Sequence, residues 1–231
     1  MATIPVSDHP EGLTARIADV RARIARASDR SARDSSSVTL IGISKTHPAS
    51  LAADAVRAGV GDLGENRVQE AAAKAGALEA AGLIPRWHLV GHLQSNKARV
   101  AAGLFDILHS VDSDRLASAI SGSAEKPIGV LIEVNVAGEA SKFGVAPADA
   151  GALAERIARM PMLNLLGLMT VAPQADDPED VRPVFRTLRE LRDAIGLADL
   201  SMGMTEDFEV AVEEGATFVR VGRAIFGSRG V

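Results

Sequence analysis

From residue 38 onward one pattern recurs with a period of about 20 to 35 residues: a short apolar run, a polar cluster, then an amphipathic segment of helical spacing. The apolar runs are residues 38–44, 61–64, 87–91, 107–111, 129–135, 164–169, 199–202 and 218–222. Strands that alternate with helices cannot be joined by tight hairpins, so they lie parallel in a sheet that helices cover. Eight such units close the sheet on itself, and the expected fold is an α/β (β/α)8 TIM barrel. An extra N-terminal helix precedes the first unit. In it Leu13, Ile17, Val20, Ile24 and Ala27 form a helical stripe, with Arg16, Arg21, Arg23, Arg26 and Arg30 mostly off it and read as a solvated face. This count uses all 231 residues as a single domain, 1–231, slightly under the roughly 250 typical of such barrels. An open doubly wound sheet is the competing architecture. No Gly-x-Gly-x-x-Gly turn follows the first strand, which removes that fold's commonest cofactor signature.

Composition excludes several chemistries. The chain has no cysteine, so disulfides, thiolate metal sites and cysteine catalysis are out. A formal charge of −5 argues against a general nucleic-acid binder. No stretch approaches the roughly 20 apolar residues of a membrane span, and Met1 to Asp8 lack the basic-then-apolar order of a signal peptide. A cytoplasmic protein that meets no membrane is expected.

Within the repeat, Thr39 to Ile43 end in Ser44-Lys45-Thr46, and Pro48 and Ser50 then open an alanine-rich helical segment. A buried strand thus delivers one amine, flanked by hydroxyls, to its carboxyl end. In a parallel barrel that end is the floor of the active site. A desolvated lysine with a lowered pKa is what a Schiff base to an aldehyde requires, because only the neutral amine attacks carbonyl carbon. The plain alternative is that Lys45 snorkels to solvent.

The other polar clusters should converge on the same mouth. After strand 2, Asn66 is placed either to cap the following helix, with Gln69 three residues on, or to touch a ligand. His88 and His92 on strand 3 are spaced i, i+4, but on a strand that puts them about 13 Å apart, so no metal is expected. They are read as mouth-lining or hydrogen-bonded core groups. Lys142, in a polar loop after strand 5, is either a second amine near the mouth or a solvated charge.

The last two units resemble an anion site. Leu200-Ser201-Met202-Gly203-Met204-Thr205 offers hydroxyls and a glycine turn, and Arg220-Val221-Gly222-Arg223 runs a strand into a glycine and a short helical turn. Barrels often hold a phosphate between the loops after strands 7 and 8. Arg220 alternates with Val219 and Val221, so it points to the barrel interior or mouth, where it either meets a ligand or pairs a buried carboxylate such as Glu133.

An amine after strand 1, a phosphate cradle after strands 7 and 8 and an arginine on strand 8 together describe a site for pyridoxal 5′-phosphate (PLP). Ile43-Ser44-Lys45-Thr46, Gly64-Glu65-Asn66, Trp87 to Lys97, His109 to Ser113, Gly167 to Thr170, Leu200 to Met204 and Arg220 to Gly227 resemble the pyridoxal phosphate homeostasis protein family, in order and over residues 40–227. The resemblance implies one barrel like the N-terminal domain of alanine racemase, with Lys45 as the Schiff-base lysine. It further implies Arg220 beside the pyridine nitrogen, Ser201 and the Gly222 and Arg223 backbone at the phosphate, and Asn66 near the ring. Arg67, where a tyrosine is common, and Val136-Ala137, where Thr-Ser is common, depart from the family pattern.

No catalytic residue is assigned. An arginine at the pyridine nitrogen keeps it unprotonated and weakens the ring as an electron sink. Relatives that racemise use a tyrosine from an additional β domain, and this chain has no tyrosine. The expected function is a non-catalytic protein that holds the cofactor and maintains its supply, with PLP and the apo-enzymes that receive it as partners, and a monomer as its form. The alternatives are a PLP-dependent amino-acid racemase whose second base is His88, His92 or Lys142, and an aldolase in which Lys45 attacks a sugar phosphate directly.

Overall fold

The computed structural model describes residues 10–139 and 143–227. Eight parallel strands close into one barrel in sequence order: β1 (Thr39–Ile43), β2 (Asp62–Glu65), β3 (Arg86–Leu89), β4 (Ile107–Val111), β5 (Ile128–Glu133), β6 (Leu163–Met169), β7 (Asp199–Ser201) and β8 (Phe218–Val221). Closure is made by β8 against β1, with Leu40 opposite Val219 and Ile41 opposite Arg220. All eight expected strands are present. Their ends differ by a residue or two because ladder pairing, and not hydrophobicity, sets where a strand stops.

The leading helix α1 (Pro10–Arg30) is followed by α2 (Ala49–Arg57), α3 (Val68–Ala80), α4 (Ala98–Leu104), α5 (Asp114–Ser121), α6 (Pro147–Ile157), α7 (Arg182–Ile195), α8 (Phe208–Glu213) and the single turn α9 (Arg223–Phe226). No helix among the described residues is long and apolar enough to cross a membrane. Because α9 is only one turn, it cannot cover the sheet between β8 and β1. The leading helix does so instead, packing on α8, α9 and α2 with Leu13, Ile17, Val20, Ile24 and Ala27 all buried.

The arginines of α1 keep the expected solvated face, with Arg21, Arg26 and Arg30 exposed, and most of them also make docking contacts that were not expected. Arg16 Nε donates to the Ile225 carbonyl at 2.6 Å, and an Arg21 guanidinium nitrogen donates to the Gly59 carbonyl at 2.7 Å. Arg23 and Arg30 pair Glu209 and Glu213 of α8 at 2.7 and 2.6 Å. Arg26 is exposed and makes no such contact among the described residues. Long side chains flanking the apolar stripe reach the carbonyls and the acidic flank of neighbouring elements, a pairing that periodicity within α1 cannot reveal.

Inside the barrel Ile41, Ile43, Ile107, Leu131, Met169 and Phe218 form an apolar layer distinct from the larger core between sheet and helices. Gly64 belongs to this layer by omission, since a Cβ there would lie 2.4 Å from Ile43 Cδ1 and 2.9 Å from Ile41 Cγ2. Polar side chains share the interior: the rings of His88 and His109 meet Phe218 edge-on, with centroids 5.9 and 5.6 Å away.

Candidate functional site

At the carboxyl ends of the strands lies a cavity of about 1070 Å³. Its lining includes Lys45, Asn66, Arg220, Gly222 and Arg223, together with Thr205 and the apolar Ile43, Val90 and Val171. The spacing argument is thereby met for these residues: positions far apart in sequence share one mouth because each ends a strand or begins the loop after it.

The strand end that carries Lys45 is fixed on both sides. Ser44 Oγ donates to Glu65 Oε1 at 2.6 Å, and Lys74 Nζ, from α3, donates to the Ser44 carbonyl, to Glu65 Oε1 and to Glu70 Oε1 at 2.6, 2.7 and 2.9 Å. The Thr46 amide donates to the same Glu70 oxygen. Thr46 itself is left-handed, with φ of 67°, a conformation a β-branched residue holds only when its surroundings impose it. Burial pushes the Glu65 carboxyl up, against the opposing pull of Lys74 and Ser44. Lys45 stands between these anchored neighbours, half-buried. The clamp was not anticipated. Its signal was Lys74 lying in helical register with the buried Ala71 and Leu78, where a lysine has no place unless paired.

Arg220 is 5% exposed. One terminal nitrogen donates to Ser201 Oγ at 2.7 Å and the other to the Thr170 carbonyl at 2.8 Å. Burial lowers its pKa to about 10, with Asp207 and Glu133 pulling the other way, so it stays cationic near neutral pH. The alternative pairing with Glu133 is not among the ion pairs of the described residues.

One expectation changes here, and one of two open alternatives closes. Ser201 was expected at the phosphate, but its hydroxyl is 0% exposed and lies inside the barrel between Arg220 and His109. The hydroxyl of that loop which lines the mouth is Thr205. Asn66 does not cap α3: the N-cap position is Arg67, which makes no side-chain cap bond. Asn66 instead faces the cavity, its backbone held against Gly91, where a Cβ would come 2.5 Å from the Asn66 carbonyl oxygen.

The two histidines of the third unit divide. His88 is a hydrogen-bonded core group, 0% exposed, whereas His92 is partly exposed, stacks on Phe143 at 3.8 Å and lies 3.5 Å from Asp112. Arg67 is exposed, Val136 packs on the outer core, and Lys142 lies outside the described residues.

The model of the alanine racemase N-terminal domain family matches residues 16–230. A pyridoxal phosphate homeostasis protein of Aquifex aeolicus is 44% identical over 223 residues, covering 93% of this chain and 97% of that one. This chain belongs to the pyridoxal phosphate homeostasis protein family. A second pyridoxal phosphate homeostasis protein, from Pseudomonas aeruginosa, is 44% identical over 218 residues and covers 92% of this chain and 94% of its own. Among solved structures, PipY of Synechococcus elongatus PCC7942 with PLP bound superposes with a TM-score of 0.80 at 34% identity, over 93% of this chain and all of PipY.

Proposed function

We propose that this chain holds pyridoxal 5′-phosphate through a Schiff base on Lys45 and maintains its supply, without turning over a substrate. The observation that carries this reading is one cavity lined by an amine, a buried guanidinium and a hydroxyl-and-glycine rim, Thr205 with Gly222 and Arg223. That set fits the cofactor: the amine suits its aldehyde, Arg220 its ring nitrogen, the rim its phosphate and the apolar Ile43, Val90 and Val171 its ring. When bound, PLP supplies an electrophilic aldehyde and a ring that withdraws electrons.

The protein's own groups support holding over catalysis. Arg220 remains cationic, and a cation beside a pyridine nitrogen opposes its protonation and so weakens electron withdrawal. Asn66 and Gly222 offer orientation and close backbone approach, not proton transfer. The chain has no tyrosine to act as a second acid or base, and neither His88 nor His92 lines the cavity. Apo-enzymes that need the cofactor are the proposed recipients, and a monomer the proposed form.

The test uses purified protein incubated with PLP. Retention of a visible band that borohydride bleaches, with no loss of chirality in added L-alanine, supports the reading. Turnover of any amino acid within the usual enzyme range of about 1 to 10³ per second contradicts it and favours a racemase.

A further inference from the structure

Behind the mouth, polar side chains cross the barrel from end to end. Arg220 donates to Ser201 Oγ at 2.7 Å. A guanidinium has no acceptor, so Ser201 Oγ accepts there. At the other end the Asp62 carboxylate only accepts, so His88 Nε2, 2.8 Å from Asp62 Oδ1, carries the proton of a neutral imidazole and His88 Nδ1 accepts. His109 Nε2, 2.9 Å from His88 Nδ1, must then donate, which leaves His109 Nδ1 to accept from Ser201 Oγ at 2.8 Å. The obligate acceptor at one end thus settles both tautomers. Burial lowers the pKa of both imidazoles, against the pull of Asp62 on His88, and so favours their neutral forms.

Four hydrogen bonds therefore run one way, from the buried cation Arg220 to the anion Asp62. Asp62 is the first residue of β2, at the end of the barrel away from the mouth, and there it also receives Arg86. His88, His109 and Ser201 are each 0% exposed, in a space that branched apolar side chains usually fill. A polar network in such a place is tolerable only when every member is satisfied. Here each group has the partner its neighbour's protonation requires.

We propose that His109, His88 and Asp62 are positioning residues for Arg220: the chain fixes the plane of the guanidinium, so the ring-facing end of the mouth depends on an aspartate at the far end of the barrel. This rests on the cofactor reading above, and the test keeps the two apart. Imidazole-nitrogen NMR of the ligand-free protein at neutral pH should show His88 and His109 as Nε2–H tautomers. An Nδ1–H tautomer or a doubly protonated ring at either overturns the chain whether or not the protein binds PLP.

Visible titration with PLP supplies the second arm. His109→Leu and Asp62→Ala should each weaken binding roughly ten-fold. The double variant should be little weaker than the poorer single one, because both cut the same chain. His109→Gln, whose carboxamide can accept from Ser201 and donate to His88, should recover most of the loss, as should Asp62→Asn. Independent, multiplying losses, or no rescue by the amides, overturn the proposal. A parent protein that binds no PLP sinks the cofactor reading, and the tautomer pattern then decides the chain alone.

Discussion

Lys74 Nζ lies 2.6 Å from the carbonyl oxygen of Ser44, the residue before Lys45. The bond makes a buried helix lysine the anchor of the strand end that presents the proposed attachment amine. Its charge is matched by Glu65, itself 0% exposed, so the anchor is a buried ion pair whose two halves depend on each other.

Removing one half is therefore costly. Lys74→Met should lower stability by about 3–5 kcal/mol, because it leaves the Glu65 carboxylate buried without its counter-charge. Urea unfolding followed by circular dichroism reads the loss. Borohydride labelling at Lys45 should fall in the same variant even where it is folded. A change within about 0.5 kcal/mol, as at an ordinary surface site, would show that Lys74 does not hold this strand end.

Glu133 sets a pH dependence. Burial pushes its carboxyl from the ordinary 4.5 up to about 7, with Asp112 adding to the rise and Arg220 opposing it. One carboxylate oxygen has no hydrogen-bond partner among the described residues. A folded pKa above the unfolded one means the folded state binds more protons across that window. The group's contribution is therefore fully present below about 4.5 and is lost as pH rises through about 7. Glu133→Gln should match the parent at acidic pH and exceed it by up to about 3 kcal/mol near pH 8. Urea midpoints at the two pH values check this, and parallel pH profiles for the two proteins would refute it.

Gly91 is where two loops touch. A Cβ there would lie 2.5 Å from the Asn66 carbonyl oxygen and 2.8 Å from its Cα, and backbone cannot swing aside as a side-chain tip does. Gly91→Ala should cost about 1–3 kcal/mol by overpacking and should weaken PLP binding by displacing Asn66. A thermal melt and a visible titration measure the two effects, and an unaltered titration would remove Asn66 from the site.

The mouth hydroxyl can be separated from the interior one. Thr205→Val should weaken PLP much more than pyridoxal, because it removes a donor from the proposed phosphate rim. Ser201→Ala should weaken both alike, since that hydroxyl touches Arg220 and His109. Competition of the two ligands in a visible titration distinguishes them, and the reverse pattern would return Ser201 to the phosphate.

The contrast between Ser201 and Thr205 also marks where the sequence stops being legible. Most of the strands could be read because strands buried on both faces are near-continuous apolar runs, while β2 (Asp62–Glu65) and β7 (Asp199–Ser201) were found by the repeat alone; Lys45 and Gly222 could be read because each sits where an apolar run ends. Ser201 could not be placed because β7 is three residues long. A shift of one residue there turns a hydroxyl from the barrel interior to the outer, helix-facing side, so three residues set no face for Ser201. Lys74 and the arginines of α1 were hidden for a different reason, since their partners lie on other elements and only the closed barrel brings them together.

Central to this account is that Lys45 carries the cofactor. Borohydride reduction of the protein incubated with PLP, followed by peptide mass mapping, tests it directly. The expected result is one modified lysine, Lys45, with no modification in a Lys45→Ala variant that circular dichroism shows to be folded. Modification at another lysine, such as Lys97 or Lys142, or a parent protein left unmodified, would contradict it.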